Sequence, residues 1–349
     1  MNKVERRFLF FVTKPYSIPI IEPIDKIINQ CNDYQSRWYM ASKAKEYESP
    51  GQQLNNNNDV MNYKPDTIIV PGNIVPHFWP GLKVQIFHGL DDEVKGFYNV
   101  TGFFDLYCTP GPTMTNTFSE IAKRKKSFFV KETGWSKLDP LFKNNIEFID
   151  QKNKMTEKYK FNRNLPIILY APTFPPKYTS APDLVEEINK LKAHYNWIIK
   201  FHPLMNKTTI SIYKKLEDNH LKISDDLNII PIMSFVDIMV TDTSSVAYEF
   251  LSFDKPLITY KALDRKDKGI NILKPNELNG AIHRSLEYPD EYSINRKKYL
   301  NAIHPYNDGK SSNRVLEEIE SILKGDFKKE LKWQPKNIFR KYSIRKMIN

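Results

Sequence analysis

Short β-rich runs recur along the first half of the chain, at Phe8 to Val12, Thr67 to Val70, Lys83 to Phe87, Asp105 to Cys108 and Ser127 to Val130, apolar throughout in the first and broken by a polar residue or two in the others. Near-continuous apolar runs, as opposed to alternation, mark strands covered on both faces, as in parallel sheets with helical crossovers. Arg37 to Ala41 adds a further strand, and Ile18 to Ile28 predicts a helix although it contains Pro19 and Pro23. Ser49 to Asp59, with Pro50, Gly51 and the asparagine run Asn55 to Asn58, predicts an exposed loop. The second half repeats the rhythm, with strands at Pro166 to Tyr170, Trp197 to Phe201, Asp237 to Thr241 and Pro256 to Tyr260 and a short β-like run at Leu227 to Pro231. Asp183 to His194 has helical spacing, its apolar face made by Leu184, Val185, Ile188 and Leu191.

This alternation predicts an α/β protein with parallel sheets. A length of 349 residues suits two domains. The expected division is 1–150 and 151–323, joined through the lysine-rich stretch 143–164, with a basic tail at 324–349. In the tail, Trp333, Ile338, Phe339, Tyr342, Ile344 and Met347 are interleaved with basic residues. That pattern suits either an anionic membrane surface or packing back across the domain junction.

Charge changes this picture modestly. With 52 Lys and Arg against 41 Asp and Glu, the formal net charge is +11, which favours an anionic partner. Nucleic acid would call for exposed aromatics among the basic residues, whereas the aromatics here lie mostly in strand-like runs, so no nucleic acid is expected. Cys31 and Cys108 are too few and too far apart for a disulfide framework, and no stretch reads as a transmembrane helix. A cytoplasmic protein, peripheral to the inner face of the plasma membrane at most, is the expectation. The acidic run Asp91, Asp92, Glu93 reads as a solvated turn, and no metal is expected.

Ligands of parallel α/β sheets bind beyond the carboxyl ends of the strands, so the residues that follow each strand carry the candidate chemistry. Asp242, Thr243, Ser244 and Ser245 follow one strand and precede an apolar helical pattern, which suits either an ordinary capped turn or a phosphate site. Thr173 and His202 end two other strands, and Pro203 holds the residue before it extended. His88, backed by Gly89, leaves a strand of the first half and suits either a general base or a backbone-bonded imidazole. The other five histidines (His77, His194, His220, His283 and His304) read as surface or satisfied structural residues. Tyr306 to Val315, with Ser311 and Ser312, is a second turn-to-helix candidate for an anion.

His88-Gly89, Leu169 to Thr173, Lys200 to Pro203, Thr241 to Ser245 with Glu249, Lys255-Pro256 and Asp308 to Ser312 occur in an order that resembles the CDP-glycerol glycerophosphotransferase family, the teichoic-acid primases and polymerases. The resemblance runs from about Lys83 to Val315. It implies a GT-B fold, two Rossmann-like domains with parallel sheets facing a central cleft. It also implies transfer of a polyol phosphate from a CDP-activated donor to a polyol-phosphate, glycan or lipid-linked acceptor, with release of CMP and no cofactor. On that resemblance His88 is the base. On the same resemblance His202, Ser244 and Ser245 engage the donor diphosphate, His88 and His202 being the catalytic candidates; position at strand ends and turn-to-helix starts adds Thr173, Asp242, Thr243, Ser311 and Ser312 as donor-phosphate candidates, and Glu249, one helical turn past Ser245, as an acceptor from ribose hydroxyls. Leu90-Asp91-Asp92 departs from the Thr-Pro that follows the His-Gly pair in many relatives, and Thr243 stands where many have tyrosine. Acceptor and polyol are left open by those departures. The alternative is a GT-B enzyme of nucleotide sugars, a glycosyltransferase or a UDP-N-acetylglucosamine 2-epimerase, whose pattern Thr133 to Asp139 also resembles.

Overall fold

The computed structural model of the chain describes residues 5–90, 98, 100–142, 146–162, 164–175, 178–325, 331 and 337–348. The chain divides into two compact units, Met1–Asn144 with Ala302–Asn349, and Asn145–Asn301. The first unit opens with β1 (Arg6–Val12), α1 (Ile18–Asn29), β2 (Tyr34–Met40), α2 (Asn57–Tyr63), β3 (Thr67–Val70), β4 (Leu82–Gln85), β5 (Leu106–Thr109), α3 (Pro112–Lys125), β6 (Phe129–Glu132) and α4 (Asp139–Phe142). The second comprises α5 (Ile146–Tyr159), β7 (Ile167–Ala171), α6 (Ala181–Leu191), β8 (Asn196–Ile199), α7 (Lys207–Lys214), β9 (Leu221–Ile223), α8 (Ile230–Phe235), β10 (Ile238–Thr241), α9 (Val246–Phe250), β11 (Leu257–Tyr260), β12 (Ile270–Ile272), α10 (Leu278–Glu287) and most of α11 (Ser293–Ile303). The chain then returns to the first unit with α12 (Ser311–Lys324) and α13 (Ile338–Ile348).

Each unit holds one six-stranded sheet, and every pairing between its strands is parallel. The first runs β2-β1-β3-β4-β5-β6 and the second β12-β11-β10-β7-β8-β9. In the second sheet the chain starts at β7, winds outward to β9, then crosses to β10 and winds the other way. The place between β7 and β10 is therefore its topological switch point. β7, β8, β10 and β11 are buried along their whole length, as the near-continuous apolar runs require. Helices cover the strands: Leu184, Ile188, Tyr213 and Ile282 share a core with Ile168, Trp197 and Val240.

Several elements differ from expectation. Leu227 to Pro231 does not form a strand; Pro231 instead enters the first turn of α8, where a missing N–H costs nothing. Asn57 to Asp59, expected in a loop, open α2, with the Asn56 side chain accepting the Asp59 N–H as an N-cap. β9 and β12 are edge strands of three residues each, too short to register as apolar runs. The second domain was expected to reach residue 323, yet α12 belongs to the first unit. Glu320 there accepts from Arg6 Nε at 3.1 Å, and Glu318 pairs with Lys131 at 2.9 Å. The tail also joins the first unit, since Ile344 and Ile348 of α13 enter its core. No helix among the described residues is long and apolar enough to cross a membrane.

His304, expected to be exposed or hydrogen-bonded, is neither. It is 2% exposed, and among the described residues neither ring nitrogen meets a hydrogen-bond partner. Burial without a partner holds its pKa down at about 4 from the ordinary 6.5. The unfolded chain therefore takes up this proton first as pH falls. The contribution is whole above pH 6.5 and is lost between 6.5 and 4, a swing of about 3 kcal/mol. Urea unfolding at pH 7 and pH 4.5 is expected to register this loss, and His304→Phe, which cannot titrate, to reduce it.

Candidate active site

The second unit concentrates donors at the carboxyl edge of its sheet. Thr241 pairs with Ala171, and Tyr170 with Ile199, so β10, β7 and β8 end level with one another. The residues that follow them, Asp242, Thr173 and His202, are thereby brought to adjacent positions at and beside the switch point.

Asp242 does not take the role expected of it. It is 2% exposed, and its carboxylate accepts the Thr173 N–H at 2.9 Å, the Ser180 N–H at 2.8 Å and the Ser180 hydroxyl at 2.8 Å. A carboxylate has no proton to donate to a phosphate, and this one already accepts from two backbone N–H groups and a hydroxyl. It ties the loop after β7 to the start of α6, so it shapes the site and does not line it. Thr173 is buried by the same tie.

Thr243, Ser244 and Ser245 are half-buried. Side-chain capping was expected here, but Ser245 is the N-cap of α9 without making a cap hydrogen bond. Among the described residues, neither the hydroxyls nor the N–H groups of these three residues have partners. α9 is only five residues long, so its dipole is small, and what the turn offers an anion is mainly this set of N–H and O–H donors. Glu249 lies in α9 one turn beyond Ser245 and is 3% exposed.

His202 is oriented by two contacts. Its ring stacks on Phe174 with centroids 4.4 Å apart, and its Nδ1 accepts the Leu204 N–H at 3.1 Å. With Nδ1 an acceptor, the neutral ring carries its proton on Nε2, which makes that atom a donor. Phe174 and Ser180 were not foreseen as supports for the site; Phe174 stands next to Thr173 in the chain, and Ser180 is recognisable only from its bond to Asp242.

In the first unit, the Ile86 N–H closes the ladder on the Val70 carbonyl at 3.0 Å, Phe87 turns to φ +57°, and His88 emerges exposed with its ring 6.1 Å from that of Tyr16. Asp91, Asp92 and Glu93 lie outside the described residues.

Ser311 and Ser312 are a correction. Their N–H groups donate to the two oxygens of Asp139 at 2.8 and 2.7 Å, all three residues are buried, and they belong to the first unit. The physical expectation of an anion at the start of α12 holds, but the anion is an internal carboxylate. Gly134, at φ +80°, makes room for this contact, since a Cβ there would lie 2.4 Å from Ser311 Oγ. Thr133 to Asp139 is therefore a structural tie, completed by the Arg314 Nε–H on the Thr133 carbonyl at 2.8 Å. A cavity of about 860 Å³ is bordered by His283, Arg284, Tyr288 and Glu291, at and just beyond the C-terminal end of α10.

The family model of CDP-glycerol:poly(glycerophosphate) glycerophosphotransferase matches residues 81–321. The teichoic acid glycerol-phosphate primase of Bacillus subtilis (strain 168) is 27% identical over 250 residues, which cover 66% of this chain and 61% of the relative, so the chain matches less than two thirds of that protein's length. The wall teichoic acid polymerase TagF superposes with a TM-score of 0.66 at 16% identity, over 92% of this chain and 90% of the other. The UDP-GlcNAc 2-epimerase from Neisseria meningitidis does so with a TM-score of 0.64 at 15% identity, over 90% of this chain and 100% of the other. At such identities the superpositions speak for the fold, the paired Rossmann-like units of a GT-B protein.

Proposed function

The chain belongs to the CDP-glycerol:poly(glycerophosphate) glycerophosphotransferase family, and on that premise we propose that it transfers a polyol phosphate, glycerol phosphate first, from a CDP-activated donor to an acceptor hydroxyl in cell-surface polymer synthesis of the teichoic-acid or capsule-like kind, releasing CMP. One observation supports the reading at the level of the site: the Thr243–Ser245 donors follow β10 and His202 follows β8, the two strands that flank β7 in the second sheet. A diphosphate needs many donors, and this edge supplies them from backbone, hydroxyl and imidazole. The fold is equally that of nucleotide-sugar epimerases; the family match favours the transferase.

In the proposed reaction the acceptor oxygen forms a bond to the phosphorus that bears the polyol. The bond from that phosphorus to the bridging oxygen breaks, and CMP leaves with the electron pair. His88 takes the acceptor proton. His202 Nε2–H and the Thr243–Ser245 donors meet the charge that grows on the leaving oxygen, where preorganised donors matter most. Glu249 accepts from the ribose hydroxyls. Asp242 and Thr173 hold the loop in place.

A thermal-shift screen of CDP-glycerol, CDP-ribitol, UDP-sugars and GDP-sugars tests this reading, because a ligand of the native state raises its stability. Stabilisation by CDP compounds alone is expected, and Ser244→Ala with Ser245→Ala is expected to weaken CDP-glycerol binding about tenfold. A shift given by UDP-sugars alone would move the assignment to the epimerase-like reading. No resident metal is needed for these donors to act, so transfer should persist in EDTA; its loss there would remove the metal-free mechanism.

The exposed face of α13 supports contact with an anionic membrane. Ile338, Phe339 and Tyr342 are 69%, 91% and 71% exposed, with Arg345 and Lys346 following at helical spacing. Co-sedimentation with phosphatidylglycerol vesicles is expected, weakened by Phe339→Ser with Tyr342→Ser. Equal binding by the variant would leave α13 without this role.

A further inference from the structure

We propose that Trp135 is a positioning residue for His88: its indole N–H, by holding the carbonyl of Phe87, sets the left-handed turn from which the His88 imidazole projects. The proposal rests on the reading of His88 as the base.

Among the described residues, nine non-glycine residues have positive φ, and Phe87 alone of them is apolar. A bulky residue avoids this conformation unless its surroundings over-determine it, and such residues gather at functional sites. Two restraints act here. The Phe87 ring is fully buried, with its centroid 5.2 Å from Phe118 and 6.1 Å from Tyr107. The Phe87 carbonyl accepts the Trp135 Nε1–H at 3.2 Å in a buried hydrogen bond. With ring and carbonyl both held, the next peptide has one direction to take, and His88 emerges exposed.

Trp135 is itself anchored. It is 1% exposed, and the Lys137 ammonium lies 5.3 Å from its ring centroid. Gly134 before it is seated against Ser311, and the Ser136 hydroxyl after it donates to the Ile20 carbonyl. The tie that secures α12 thus also carries the donor that orients the chain at His88. Packing alone would use the Trp135 ring; it does not account for the N–H being directed at the carbonyl that precedes the proposed base.

Trp135→Phe keeps an aromatic ring and removes the donor. Trp79→Phe is the control, because Trp79 is equally buried in the same unit but donates to Asn57 Oδ1 at 2.8 Å. Trp135→Phe is expected to lower kcat about 10- to 100-fold, as small misplacements of a reacting group do, and to leave KM for CDP-glycerol within about twofold. In proton NMR, the His88 Cε1–H resonance, assigned by its loss in His88→Ala, is expected to shift in Trp135→Phe and not in Trp79→Phe. The proposal is overturned if that resonance stays in place in Trp135→Phe, or if kcat falls no further than in Trp79→Phe. His88→Ala keeps the two readings apart. Transfer that survives it removes the base assignment, whereas its abolition beside unchanged Trp135→Phe kinetics removes only the positioning.

Discussion

His88→Ala is expected to lower transfer about a thousandfold while CDP-glycerol continues to stabilise the protein. The two halves of the expectation have separate physical origins. A positioned base contributes through the proton it takes in the transition state, so removing it acts on kcat. In the proposed reading the donor is held by residues of the second unit, to which His88 does not belong. Single-turnover transfer together with the CDP-glycerol thermal shift measures both. If the thermal shift disappears along with the activity, His88 is a donor ligand and the base must be sought elsewhere.

Asp242→Ala carries the second large effect, and it acts first on stability. The substitution leaves the Thr173 and Ser180 N–H groups buried without an acceptor, each at a cost of about 1–3 kcal/mol. A total loss of about 3 kcal/mol or more is therefore expected in urea unfolding. Donor binding should fall as well, because the loop that presents Thr173 and Phe174 beside His202 loses its tie to β10. A variant that unfolds within about 1 kcal/mol of the parent would contradict the structural role drawn for this carboxylate. Asp242→Asn is the milder version, since the amide keeps one acceptor and turns an N–H toward one of the two backbone donors.

The parallel α/β character of both halves was legible from near-continuous apolar runs, because a strand covered on both faces has little room for polar residues. The elements that escaped notice, β9 and β12, are short edge strands, where half-exposure dilutes that signal. His88, Thr173, His202 and Thr243 to Ser245 were legible as residues at strand ends, a position that follows from chain order alone. Asp242 was legible as polar but not as an acceptor spent on backbone, because its partners Thr173 and Ser180 lie 69 and 62 residues away. Ser311 and Ser312 show the same limit: the turn-to-helix pattern predicts an anion, and Asp139, 172 and 173 residues distant, supplies it.

What the sequence determined by itself was local and periodic: which stretches are buried strands, where helices begin, and which side chains stand at strand ends, since these depend on neighbours a few residues apart. Only the tertiary structure decided which polar groups are already satisfied. It assigned Asp242 and Asp139 to internal donors, left Ser245 without a cap hydrogen bond, and set the left-handed turn at Phe87 under the Trp135 N–H. The reason is that a hydrogen bond or a buried charge is settled by whichever partner the fold brings within about 3 Å, and separation along the chain does not reveal that partner.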